Sequence, residues 1–395
     1  MMMMGRAHGW GLLLLGAVVW AALAGAVACH LSPVRLGAVL PLTGALAPYG
    51  KSLERGALLA AQQVNTSGGI EGRRLELLVV DSASRPEAAA RLFQQLVVEE
   101  RVPAVVGGAS TAECLAMAPV AERYRRVLLS PSASGPQISG AGDFVFRNWP
   151  SDEIEGRTLA DFAAYTLHAS RALVVSEKNP YAEGFASVFT RRFCDQGRSC
   201  VSVSLDPARS AQSIAADLSS PLKRCEVLVL AGYAGDLLPL LKALRTNPDL
   251  PPILSVSALG EGLSMKEPAL SGVLFARPAY DPEGDPAAAE FASLYAAKFG
   301  QEPDIYAAHA YDAVNLLAEV MAKAGPGASG VQRGLLAVRN YEGAAGSTTF
   351  DPNGDVIQPY QICVADGGRA VPLKSVVERV LPPLQQRVQS RRFGK

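Results

Sequence analysis

Short apolar runs alternate with segments of helical period along this chain, and they do so in two series. The first runs through VRLGAVL (34–40), a helix-period stretch from Leu53 to Val64, LELLVVD (75–81), a helix over 86–100, AVVGG (104–108), a helix over 113–125 and VLLSP (127–131). Near-continuous apolar strands, each followed at short spacing by an amphipathic helix, imply parallel strands with helices on both faces. The second series comprises ALVVSE (172–177), CVSVSL (200–205), VLVLAG (227–232), PILSVS (252–257) and GVLFAR (272–277). The expected fold class is therefore α/β, with two Rossmann-like halves. An amphipathic helix from Ile305 to Ala324 follows, and GSTTFDPNGDVIQPYQICVADG (346–367) reads as strand, DPNGD turn, strand. Residues 374–395 are polar, basic and proline-broken, which predicts a flexible tail. No repeat of about 20–50 residues is visible, against a solenoid.

The N-terminus carries an address. A single charge at Arg6 precedes the apolar run Trp10–Ala28, which stops at Cys29-His30-Leu31-Ser32-Pro33. This is the grammar of an export signal over residues 1–28. Ala26-Val27-Ala28-Cys29 resembles a bacterial lipoprotein cleavage site, with Cys29 as the lipidated residue, although Ala26 stands where that pattern has leucine. A plain signal cleaved after Ala28 is the alternative, and both readings place the body outside the inner membrane. Export puts thiols in an oxidising compartment. Cys194 and Cys200 flank FCDQGRSC, a helix end, a Gly turn and a strand start, and are expected to form a disulfide. Cys114, Cys225 and Cys363 read as buried apolar thiols.

Several functions are excluded by composition and spacing. Lys plus Arg total 37 and Asp plus Glu total 37, so no basic field exists to hold a nucleic acid. Four scattered histidines and six cysteines form neither CxxC nor HExxH, so no metal site and no cofactor are expected. The stretch from Gly44 to Ser52 nearly spells a phosphate-binding loop, but five residues separate Gly44 from Gly50 and Pro48 removes an amide from the would-be nest. No GxSxG elbow occurs, and no nucleophile, base and orienter set is evident, so the chain is not expected to be an enzyme.

Small hydroxyl residues at strand ends carry the functional reading. Thr111 follows AVVGGAS and precedes a helix, while Ser132 and Ser134 lie in LSPSAS, again where a strand ends. In open parallel sheets, ligands bind beside the carboxyl ends of strands, and a helix N-terminus there offers amides and partial positive charge to an anion. The same residues also suit simple helix capping.

The order of the motifs resembles the leucine/isoleucine/valine-binding protein family of periplasmic receptors for branched-chain amino acid ABC transporters. The resemblance rests on PLTGALAPYGKSLERGALLAAQQVNTSGG, AVVGGASTAECLAMAPVAERYRRVLLSPSAS, FRNWPSDEIEGRTLADF, VVSEKNPYAEGFA, VLAGYAGD, ARPAYDPEGDP and YAAHAYDAVNLLAEVMAKAG, and runs from about Val34 to about Leu373. It implies a type I periplasmic binding protein. Lobe 1 would comprise 34–150 plus 281–347, lobe 2 would comprise 151–280 plus 348–373, and three crossings would form a hinge. It implies that Thr111 contacts a ligand carboxylate, that Ser132 and Ser134 hold both ends of the ligand, that Tyr49 lies near its side chain, and that Tyr181 and Tyr233 shut over it from lobe 2. The family's acid for an ammonium group falls at about Ser257, where no carboxylate stands, and Glu261 is nearby in sequence. Ser84 and Ser110 occupy the two positions of the family disulfide. The resemblance implies a monomeric receptor that delivers an amino acid, amide or small carboxylate to an ABC permease. A lipid-anchored sensor or envelope protein-interaction module of the same fold is the alternative.

Overall fold

A computed structural model describes residues 32–260 and 265–393. Cys29 and the expected signal lie outside the described residues, as does Glu261. In chain order the elements of the first half are β1 (Val34–Leu40), α1 (Ala47–Thr66), β2 (Leu75–Asp81), α2 (Pro86–Val98), β3 (Ala104–Gly107), α3 (Thr111–Tyr124), β4 (Val127–Ser130) and β5 (Val145–Arg147). The five strands form one parallel sheet in the order β2-β1-β3-β4-β5.

The second half begins with α4 (Asp152–Asp161), β6 (Arg171–Ser176), α5 (Pro180–Cys194), β7 (Ser199–Ser204), α6 (Ala211–Arg224), β8 (Val227–Ala231), α7 (Ala234–Leu244), β9 (Ile253–Ser255) and β10 (Leu274–Pro278). Its parallel strands run β7-β6-β8-β9-β10, the same winding as the first sheet one unit later. The chain then returns to the first lobe with α8 (Pro286–Phe299), α9 (Ile305–Ala324), α10 (Ala328–Leu336) and the hairpin β11 (Tyr341–Gly343) and β12 (Gly346–Thr348). It ends in the second lobe with β13 (Tyr360–Asp366), β14 (Arg369–Pro372) and α11 (Val377–Phe393); β13 pairs antiparallel with β10, and β14 with β13.

The cores explain this partition. One apolar cluster joins strands β1 to β5 to α9 and α10, with Phe93, Phe146, Trp149 and Leu317 almost completely buried. Two others cover the faces of the second sheet, one built on the Phe185, Phe189 and Phe193 ladder of α5 and one on the leucines of α7. Each such side chain contributes about 1.5–3 kcal/mol on burial, so each lobe has its own core.

Three expectations change. The third crossing lies at residues 357–359 rather than at 347, because Phe350 and Val356 pack in the first lobe's core and bridge to each other there. The DPNGD segment therefore does not join β12 to β13 as a hairpin: Gly354 O accepts from Arg147 N and the Asp355 carboxylate pairs with the Arg147 guanidinium at 2.7 Å. The segment after 374 is not a flexible tail. It forms α11, in which Val388 is fully buried and Arg391 donates to the carbonyls of Cys225 and Leu222, so docking on the second lobe outweighs the helix-weakening Pro382 and Pro383.

Cys194 and Cys200 are neighbouring but separate thiols, not the expected disulfide. Burial, reinforced by Cys194 beside it, pushes the Cys200 thiol up to about 12.

Candidate functional site

The carboxyl ends of both parallel sheets face one another, and the loops leaving them line a single cavity. From the first lobe come Leu46 and Tyr49 after β1, Ala109 and Thr111 after β3, Ser132 and Ser134 after β4, Trp149 after β5, and Tyr306 on α9. From the second come Tyr181 after β6, Tyr233 after β8, and Ser257 and Ala258 after β9. The structure thus brings together all seven positions singled out in the sequence, namely Tyr49, Thr111, Ser132, Ser134, Tyr181, Tyr233 and Ser257. Space unfilled by atoms, mouth included, is about 370 Å³.

Local sequence positions the polar wall. Gly108 has φ +73°, and a Cβ there would approach the Cys114 backbone at 3.0 Å, so glycine permits the tight turn from β3 into α3. Ser110 caps α3 in a reciprocal capping box with Glu113. The amides of Glu113 and Cys114 are taken by the Ser110 hydroxyl and carbonyl. Those of Thr111 and Ala112, in the same first turn, remain for an anion.

Ser132 donates to Ala109 O at 2.9 Å, and Thr111 Oγ1 accepts from Gly135 N at 3.1 Å, tying the two strand-end loops together. A Cβ at Gly135 would lie 2.4 Å from Thr111 Cγ2, so this approach also requires glycine. Arg147, fully buried, donates to the carbonyls of Ser134 and Gly135 and to Ser139 Oγ while pairing with Asp355. The lobe 1 wall is therefore rigid and internally bonded.

The remaining lining is aromatic. Trp149 stacks on Tyr306 with centroids 5.0 Å apart, Tyr306 meets Tyr49 edge-on at 5.2 Å, and Tyr233 lies 5.8 Å from Tyr49 and 5.0 Å from Tyr181. Trp149 and Tyr306 were not singled out in the sequence; the position of Trp149 after a strand end was the available signal. Tyr49 also crosses the cleft. Its hydroxyl donates to Ala258 O at 2.9 Å and accepts from Ala234 N at 3.2 Å, both in lobe 2. Glu177, at the end of β6, accepts from Tyr233 N at 2.7 Å and from Asn179, the N-cap of the helix carrying Tyr181. Burial pushes its carboxyl up to about 7 despite these bonds.

Ser257 lines the cavity, and its amide donates to Glu155 Oε1 at 2.8 Å. Glu155 and its neighbour Asp152 are completely buried and were missed in the sequence, where acids in a first helical turn read as ordinary dipole compensation. His309 is buried against Trp149 at 4.6 Å, and burial lowers its pKa to about 3, so it is a neutral packing residue.

Among the described residues no helix is long and apolar enough to cross a membrane. The chain is 26% identical over 374 residues to a Leu/Ile/Val-binding protein homolog of Brucella melitensis, covering 91% of this chain and 99% of that one. The isoleucine complex of the branched-chain amino acid transporter substrate-binding protein LivJ from Streptococcus pneumoniae superposes with a TM-score of 0.79 at 24% identity, over 86% of this chain and 98% of that one. A solute-binding protein of an R. palustris ABC transporter, in complex with benzoate, gives a TM-score of 0.79 at 21% identity over 87% and 96%. At these identities the two structures establish a shared fold. The periplasmic binding protein family model matches residues 33–369, and the chain belongs to that family.

Proposed function

We propose that this protein captures a small carboxylate-bearing solute between its lobes and presents it, closed, to an ABC permease. The observation that carries the reading is the convergence of strand-end loops from both sheets on one cavity whose polar wall includes the first turn of α3. A buried carboxylate needs donors, since an unpaired buried charge is very costly. The Thr111 and Ala112 amides, the Thr111 hydroxyl and the positive end of the α3 dipole supply them. Isoleucine and benzoate, held by the two structural relatives, have a carboxylate in common.

Closure follows from the same residues. Tyr181 and Tyr233 cover the cavity from lobe 2, and Tyr49 bridges the lobes through both its hydrogen bonds. Binding is the whole activity in this reading, with no chemical step. The finer assignments belong to it as well: export through the signal at residues 1–28, anchoring through lipidated Cys29, and action as a monomer. Thermal-shift and calorimetric screening against amino acids, amides and carboxylates tests the reading. One-to-one binding of at least one such solute is expected, and no binding from any of the three classes overturns it.

A further inference from the structure

We propose a second binding site, on the outer pole of lobe 2, in which Arg245 and Arg387 receive the phosphate group of a small ester or of a lipid headgroup. It stands apart from the cleft and does not depend on what the cleft captures. The site is a groove formed where α11 docks on the second lobe, with about 920 Å³ of space unfilled by atoms, mouth included. Pro251 and Pro252 in its wall lead into the amino end of β9, and Ser271 and Gly272 precede β10, so the groove lies at the strand ends opposite those that face the cleft. Helix α7 runs from one site to the other. Its N-cap, Tyr233, lines the cleft, and its C-cap, Arg245, lines the groove. The 11 residues between them set the two about 16 Å apart.

Charge in the groove is unbalanced. Arg245, Arg379 and Arg387 line it against a single carboxylate, Asp366, and Arg379 takes that carboxylate at 2.6 Å. The other arginines of α11 are spent on docking: Arg391 donates to the carbonyls of Leu222 and Cys225, and Arg392 pairs with Glu226. Among the described residues no carboxylate pairs with Arg245, and the Arg387 guanidinium has no hydrogen bond or ion pair.

Arg245 is nevertheless held in place. Its Nε donates to Ala269 O at 2.9 Å and its Nη2 to Ser271 O at 2.6 Å, which orients the guanidinium and leaves Nη1 open. Arg387 stands near enough for the two like charges to interact: burial, and then the Arg387 charge, lower the Arg245 pKa. Two cations kept together without a counter-ion are stabilised by an anion placed between them.

The chemistry of that anion follows from the charge and the walls. A phosphate monoester carries about −1.5 to −2 near pH 7, which matches the two positive charges left once Arg379 and Asp366 have cancelled. Guanidinium forks also fit phosphate oxygens closely. Beside the arginines the groove is apolar, with Pro251, Pro252, Val380, Pro383 and Leu384 in its lining, and these side chains suit the carbon stem of an ester.

The test titrates the intact protein with inorganic phosphate and with butyl phosphate by calorimetry. Beside it, the protein is co-sedimented with phosphatidylcholine vesicles made with and without phosphatidic acid. Binding is expected to one of the soluble probes or to the phosphatidic acid vesicles. Arg245→Gln and Arg387→Gln should each weaken it about tenfold or more, the size of a lost hydrogen bond to a charged group. A soluble probe that binds assigns the site to a free solute, and vesicle binding alone assigns it to a lipid headgroup; both outcomes support the site. Arg387 is exposed on α11, so Arg387→Gln keeps the fold and decides alone should Arg245→Gln, which loses two carbonyl bonds, fail to fold. No binding of any of these phosphates overturns the inference. So does binding that survives Arg387→Gln but is lost in Thr111→Ala, which would place the phosphate in the cleft. None of these results bears on capture in the cleft.

Discussion

The two walls of the cleft solve opposite problems. On the lobe 1 side the side chains that shape the wall are tied to backbone: Arg147 to the 134–135 carbonyls, Ser132 to Ala109, Thr111 to Gly135. On the lobe 2 side, burial raises the carboxyls of Asp152, Glu155 and Glu177 above the usual carboxylate range. A wall already satisfied can recognise a ligand without moving. A wall whose buried acids favour their protonated forms can change its protonation when a ligand arrives.

The strongest way to break the contrast is to loosen the rigid wall. Arg147→Ala should destabilise the protein by about 3–5 kcal/mol, because Asp355 is left as an uncompensated, largely buried charge and the 134–135 loop loses its clamp. Urea denaturation of the ligand-free protein measures this, and a loss under 1 kcal/mol would show that the wall is not held from Arg147. Next in size, Thr111→Ala should weaken carboxylate binding by roughly 1–3 kcal/mol, since it removes a ligand partner and strands the Gly135 amide. Titration calorimetry reads it, and an unaltered affinity would remove Thr111 from the site.

The bridge between walls is a smaller term. Tyr49→Phe deletes one hydroxyl that both donates to and accepts from lobe 2, a loss of about 1–2 kcal/mol from the closed state. Small-angle scattering of the ligand-free variant should show a larger radius of gyration than wild type. Identical radii would mean that closure does not depend on this latch.

The gentlest probe addresses the lobe 2 wall alone. Glu177 has its pKa raised on folding, so the folded state favours the protonated form. Its stabilising contribution is full below the unfolded value and is lost as pH rises to about 7. The same direction holds for Asp312, buried in lobe 1 and pushed up to about 7 by burial. Stability should therefore fall between pH 4.5 and pH 7. Glu177→Gln should flatten that slope by up to about 1.4 kcal/mol per pH unit. Melting curves at pH 5 and pH 8 check the sign, and a slope as steep in the variant as in wild type would assign the pH dependence elsewhere.

What could be read from the residues follows the same division. Strand-end positions announce themselves through alternation of apolar runs and helices, so Thr111, Ser132 and Ser134 were visible as a constellation, and with the resemblance so were the tyrosines. Asp152 and Glu155 were hidden by Glu153: three acids in one helical turn look like uniform dipole compensation, and only the packed structure shows which two turn inward. Tyr306 was hidden for a related reason, as one more apolar position on a helix whose inner face is nearly all core. The third crossing was misplaced because the DPNGD turn looks like a hairpin, whereas its Asp355 answers Arg147, more than two hundred residues earlier in the chain. The C-terminal helix was masked by Pro382 and Pro383, since a contact such as Arg391 with the 222 and 225 carbonyls leaves no trace in local propensity.

The most direct test of the central claim is calorimetric titration of the purified protein with small zwitterions and carboxylates, run beside Thr111→Ala. Saturable binding of one solute per chain, weakened at least fivefold in the variant, is the expected result. Failure of every such solute to bind, or binding indifferent to Thr111, would contradict the assignment of this cleft.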